Sequence, residues 1–241
     1  IHQDIALIQH MDALGYDEVW MGEHHSTGWE YVGSPEVFLS YAAAQTNRIK
    51  LGTGVVSLPY HSPYHVAERV TLLDHLSRGR LIFGVGPGAL AYDAYQFGLR
   101  SDELRPRMEE SLDVILALLR GERVTRRTDW FDLRDAKIQL RPYSQPGFEI
   151  AVTCTTSPAG PKLAGRHGAD GRLVSHRRRR RPEGSHRGRC LGMGARAGEL
   201  ARRPHRHRGR PRTCRRMVRV GRSLGPQLAA RLWGGDGPVA P

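Results

Sequence analysis

The chain has no run of roughly 20 consecutive apolar residues, the length a bilayer-spanning helix needs, so no such helix is expected. It does not open on a basic, apolar and small-residue signal, and it has no initiator Met, so the natural start of the protein is expected to lie upstream. Only three cysteines occur, Cys154, Cys190 and Cys214, with neither metal-ligand spacing nor the density of a disulfide scaffold. That pattern favours a reducing compartment, and the cytoplasm is the expectation. His-Glu-x-x-His is absent, and no Gly-x-Gly-x-x-Gly turn follows a first strand.

Even charge is also missing. Residues 176–241 hold 19 of the 37 Lys+Arg against three acids, Glu183, Glu199 and Asp236. Residues 1–175 keep 18 basic and 21 acidic side chains, the balance of an ordinary soluble domain. The basic segment contains no Lys, Ile, Asn, Phe or Tyr, has Trp233 as its one aromatic, and follows His176 with five arginines, Arg177 to Arg181. Arg, Gly, Ala and Pro are the residues of GC-rich codons, so residues 176–241 read as out-of-frame translation and are expected to be disordered. A genuine basic tail or a folded module that binds phosphate backbones is the alternative. Such arms usually interleave aromatics for base stacking, and this one does not, so no nucleic-acid partner is expected.

The first 175 residues alternate helix-period and strand-like runs. Ile5, Ile8 and Met11 fall at helical spacing before Gly15, and residues 17–21 read as a strand. A helix over residues 35–45 precedes a mostly apolar run, 49–56, suited to a strand buried on both faces. Ser62-Pro63 opens the next helix and Gly79 ends it, before a strand over 80–86. Leu104, Met108, Leu112, Ile115 and Leu119 mark another helix. An irregular insertion over 122–146, a strand over 148–153, and one more helix and strand reach Ser175. Helices of this length between strands make parallel crossovers, so the fold class is α/β. Five strands are visible, so a closed (β/α)₈ barrel of the TIM type would be incomplete, lacking its first strand and its last two or so.

Reactive residues in such folds gather at the C-terminal ends of the strands. Those ends are Glu23-His24-His25, Thr53-Gly54-Val55, Gly86-Pro87-Gly88 and Cys154-Thr155-Thr156-Ser157, and they are expected to converge. The histidines can move protons near neutral pH. Adjacent residues point to opposite sides, so a metal site is not expected. Gly52, Gly54, Gly84, Gly86 and Gly88 could clear space for a flat ligand, or for the barrel's own bends. Thr155-Thr156-Ser157-Pro158 opens a helix and could hold a phosphate or simply cap the turn.

Taken together, these clusters resemble the bacterial luciferase-like flavin-dependent monooxygenases. The likeness runs through Gly15-Tyr16-Asp17-Glu18-Val19-Trp20, Glu23-His24-His25, Ile49-Lys50-Leu51-Gly52-Thr53-Gly54, Leu58-Pro59, His65-Val66-Ala67-Glu68, Leu72-Leu73-Asp74, Ser77-Arg78-Gly79-Arg80 and Phe83-Gly84-Val85-Gly86. Within the family, Trp29-Glu30-Tyr31, Pro59-Tyr60-His61-Ser62-Pro63 and Cys154-Thr155-Thr156-Ser157-Pro158 are most similar to limonene 1,2-monooxygenases. The resemblance implies a barrel that takes reduced FMN from a separate NAD(P)H-dependent flavin reductase, reacts it with O₂ and oxygenates a small apolar substrate, often as a dimer. It implies His24 as the active-site histidine, with Glu23 and His25 in support, and a cis peptide at Gly54-Val55. Thr53, Gly54, Val55, Gly84 and Gly86 would line the flavin, Thr155, Thr156 and Ser157 its phosphate, and Asp93 the mouth. Pro87 stands where the family has a phosphate-binding Arg, so another cation, such as Arg166, would be needed. A deazaflavin-dependent oxidoreductase on the same barrel, or a fragment without activity, are the alternative readings.

Overall fold

The computed structural model describes residues 1–28 and 30–153, together with the backbone of three short strands further along the chain. Helix α1 (His2–Ala13) buries Ile5, Ile8 and Met11, and Gly15 reverses the chain at φ 85° into β1 (Glu18–Met21). Helix α2 (Pro35–Ala44) leads to β2 (Lys50–Thr53), and β3 (Val56–Ser57) follows after a break. A 3₁₀ turn over Leu58–Tyr60 precedes α3 (Pro63–Ser77), with Pro63 at its first position, where the missing N–H costs nothing. Arg78 and Gly79, at φ 54° and 79°, end α3 ahead of β4 (Leu81–Gly86). Next come α4 (Ala91–Gln96), α5 (Leu104–Leu119), β5 (Val124–Arg127), β6 (Asp132–Ala136) and β7 (Glu149–Val152). The last described strands are β8 (Leu173–Ser175), β9 (Cys190–Gly192) and β10 (Met217–Val220).

The main sheet runs β10-β1-β2-β4, with β3 and β7 both pairing β4, and every pairing in it is parallel. Alternate residues divide its two faces. Val19, Met21, Leu51, Leu81, Phe83, Val85 and Val152 pack outward into one core with the helices. Trp20, Ile82 and Ala151 form a separate inner cluster, as the lumen of a barrel requires. Register sets Glu18 opposite Lys50 and Ile82 opposite Glu149, so one layer of the inner face is charged. Trp20 stands opposite Gly52, where a Cβ would come within 2.5 Å of the indole. Arg80 explains part of the Ser77-Arg78-Gly79-Arg80 phrase: its guanidinium donates to the carbonyls of Ala43, Thr46 and Ile49 and satisfies the end of α2.

Two expectations change, and one element, α4, was not expected. The run over 49–56 is not one strand, because β2 stops at Thr53 and β3 resumes at Val56. The stretch 122–146 is not wholly irregular: β5 and β6 form an antiparallel hairpin outside the main sheet, with too little alternation of apolar residues to be visible as strands. The short helix α4 has no apolar period, yet it carries Asp93 inward. In residues 176–241, where disorder is expected, the described backbone comprises β9, paired with β8, and β10, beside β1. Among the described residues no helix is long and apolar enough to cross a membrane.

Candidate active site

The chain leaves β1 at Met21 and passes at once through Glu23, His24 and His25. The end of β2 is tied to this exit, because Gly54 N–H donates to the Met21 carbonyl at 2.6 Å. The peptide bond that follows, Gly54-Val55, is cis, the geometry that the resemblance implies there. Thr53 links β2 to β4 twice: its hydroxyl donates to the Gly84 carbonyl at 2.7 Å and accepts from Gly84 N–H at 2.8 Å. The ends of β1, β2 and β4, where three of the four predicted clusters stand, therefore meet. The fourth, with Thr155, Thr156 and Ser157, lies outside the described residues, as do Trp29 and Arg166.

His24 and His25 diverge. His24 Nε2 is 2.7 Å from Glu30 Oε2, and its Nδ1 is 3.6 Å from Asp93 Oδ2. Asp93, almost wholly buried, also accepts from the Ser26 hydroxyl. His25 turns the other way, toward Glu23. Glu23 Oε1 lies 3.0 Å from His25 Nε2 and 2.8 Å from His61 Nε2, while Oε2 accepts Ser57 N–H at 2.7 Å. Burial works to raise the Glu23 pKa, but the hydrogen bonds from His25, His61 and Ser57 outweigh it and hold the carboxyl below its ordinary range. The same bond raises the His25 pKa against the opposing effect of burial, and the charges of Glu23 and Asp93 add to it.

Aromatic rings close this side. Tyr60 stacks on Phe97 at 4.8 Å, and His25 meets both rings edge-on, at 5.9 and 4.9 Å. Burial, then the charges of Asp93 and Glu23, push the Tyr60 phenol up to about 12, so it remains a hydrogen-bond donor. Its hydroxyl is buried and has no hydrogen-bond partner among the described residues.

The glycines resolve an ambiguity of the sequence. A Cβ on Gly84 would fall on the Thr53 carbonyl, and one on Gly86 would come within 2.6 Å of Val55 and 2.8 Å of Thr153. One on Gly88 would strike the Tyr60 hydroxyl, and one on Gly54 would sit 3.2 Å from Trp20. The space beside these glycines is filled by the protein's own atoms.

Sequence reasoning missed His61, Tyr60, Glu30, Ser26 and Phe97. His61 lies 38 residues from the carboxylate it shares with His25, a distance that no local pattern reports.

The luciferase-like monooxygenase model matches residues 1–181. The chain belongs to this family. Its parallel sheet is part of the family's (β/α)₈ barrel, incomplete in this chain. This luciferase-like chain is 58% identical over 169 residues to limonene 1,2-monooxygenase of Rhodococcus erythropolis, covering 70% of this chain and 43% of that one. It is 52% identical over 168 residues to 4-hydroxyprotoasukamycin monooxygenase of Streptomyces nodosus subsp. asukaensis, covering 69% and 45%. Among solved structures it is similar to the oxygenating constituent of 3,6-diketocamphane monooxygenase from Pseudomonas putida in complex with FMN. That match has 27% identity and a TM-score of 0.65, over 72% of this chain and 51% of the other. The chain thus spans about half the length of the relatives it matches, or somewhat less.

Proposed function

We propose that the intact protein is a flavin-dependent monooxygenase that uses reduced FMN and O₂ to oxygenate a small apolar substrate, with a monoterpene alkene the first to test. The observation that carries this reading is the placement of His24, held between Glu30 and Asp93, where the ends of β1 and β2 are tied together. The names of the two relatives from Rhodococcus erythropolis and Streptomyces nodosus subsp. asukaensis, both monooxygenases, support the reaction class. The FMN complex of the camphane enzyme supports the flavin.

The residues present fit a flavin. A buried phenol hydroxyl without a partner among the described residues and a histidine between two carboxylates offer a donor and a proton-handling group. Thr53, Gly54, Val55 and Asp93 would hold the ring system, with Gly84 and Gly86 as backing that lets Thr53 and Val55 approach. Thr155, Thr156 and Ser157 would take the phosphate. When bound, reduced FMN supplies the electrons that activate O₂; a separate NAD(P)H-dependent reductase would deliver it. His24 would exchange a proton at Nδ1, the nitrogen 3.6 Å from Asp93, while Glu30 at 2.7 Å orients Nε2. Glu30 and Asp93 hold the ring in place from both sides. Tyr60 and Phe97 present aromatic surface suited to an apolar substrate.

The intact enzyme, given reduced FMN and ¹⁸O₂, is expected to place one ¹⁸O in a terpene product. His24→Gln should lower kcat by about 10²- to 10⁴-fold. Absence of label from terpene, aldehyde and sulfide products, or anaerobic turnover with a reduced deazaflavin, overturns the proposal.

We propose also that residues 176–241 are translated out of frame. The family match stops at residue 181, close to the arginine run, which supports this. Another frame of the coding DNA beyond the His176 codon should restore alternating helix and strand patterns; if no frame does, the segment is genuine.

A further inference from the structure

We propose that Glu23, His25 and His61 work as one positioning unit: a single buried carboxylate dictates which nitrogen of two imidazoles carries the proton, and anchors the backbone just beyond the cis Gly54-Val55 peptide. The inference rests on reading this strand end as the reactive face, and it makes His61 a member of that face.

An ionised carboxylate has only acceptor positions. With Oε1 at 3.0 Å from His25 Nε2 and 2.8 Å from His61 Nε2, both rings must donate from Nε2. In the neutral rings Nδ1 is therefore the bare nitrogen, the atom at which a further proton arrives or leaves. Oε2 is engaged by Ser57 N–H at 2.7 Å, two residues after Val55. The three donors come from separate places: the exit of β1, the end of β3 and the residue that follows the 3₁₀ turn. One side chain thus sets the relative placement of all three.

A carboxylate satisfied by backbone N–H groups alone would couple to no other titrating group. Two of the donors here are imidazoles, and they share one oxygen, so a proton gained by one changes the affinity of the other. Around His25 the unit faces Asp93 from α4, Tyr60 edge-on from the 3₁₀ turn, and the uncharged ring of Phe97. Of the charged groups, Glu23 holds His25 by a direct hydrogen bond, whereas Asp93 acts through its charge. The raised proton affinity of His25 is the sign expected for this arrangement.

The test is ¹⁵N NMR of the histidine side chains in the full chain, without flavin or substrate. In the unmutated chain both rings should show the Nε2–H tautomer when neutral. Glu23→Gln should weaken proton binding at His25 on the order of tenfold, because the paired charge is gone. His61→Phe should do the opposite and tighten it, because His25 then has Oε1 to itself. A purely space-filling His61 would leave the His25 titration unmoved. An Nδ1–H tautomer on either ring, or one His25 titration curve common to the parent chain and His61→Phe, overturns the proposal. Should Glu23→Gln fail to fold, as judged by circular dichroism, the tautomers and His61→Phe still decide. Failure of ¹⁸O incorporation would sink the monooxygenase reading without touching this result.

Discussion

The two ends of β1 each bury a carboxylate, and they differ in what that carboxylate faces. Glu18 accepts from the indole Nε1 of Trp20 at 3.3 Å, in a layer where Lys50 pairs with Glu149. Glu23, five residues on, faces two imidazoles. An indole N–H never titrates in water and an ammonium does so only far above neutral pH, whereas imidazole changes charge near pH 6.5. The same burial is therefore met at one end by an indole and an ammonium and at the other by imidazoles, whose charge changes near neutral pH.

Trp20→Ala attacks the inert end and should have the largest effect on stability, about 3–5 kcal/mol by urea denaturation, because it empties the inner cluster with Ile82 and Ala151. A loss below about 1 kcal/mol would mean that the indole does not hold the inner cluster together. Gly84→Ala comes next, at about 1–3 kcal/mol, since its Cβ would meet the Thr53 carbonyl, backbone that cannot rotate away. It should also disturb the Thr53 contact to Gly84, detectable as faster amide exchange at Gly84.

The pH profile of stability separates the two ends more gently. Glu23 has a depressed pKa, so its contribution is complete above its ordinary value of 4.5 and fades as pH falls through the folded value. His25 has a raised pKa, so its contribution is complete below 6.5 and fades as pH rises through the folded value. Both are fully present between pH 4.5 and 6.5, and urea midpoints should peak there. Glu23→Gln should flatten that peak; an unchanged peak would place its origin elsewhere. Lys50→Met, at the partly exposed inert end, should cost least, under about 1 kcal/mol, with no change in the profile.

Much of the barrel was legible because its signals are local. Glycine at 15 and 79, Pro63 at a helix start and the apolar periods of α3 and α5 each act within a few residues. The hairpin β5-β6 was not legible, because its strands are exposed and charged and carry no alternation to detect. His24 and Asp93 were visible as members of a familiar phrase, but their 3.6 Å approach was not, since 69 residues of chain separate them.

By itself the sequence determined the α/β alternation, the family and the identity of the groups at the strand ends, because helix and strand periods and turn chemistry are short-range effects. Only the tertiary structure decided which carboxylate serves which histidine. It also showed that Gly52, Gly84 and Gly86 make room for Trp20, Thr53 and Val55. Those outcomes depend on register between strands, and register depends on how the inner and outer faces pack together.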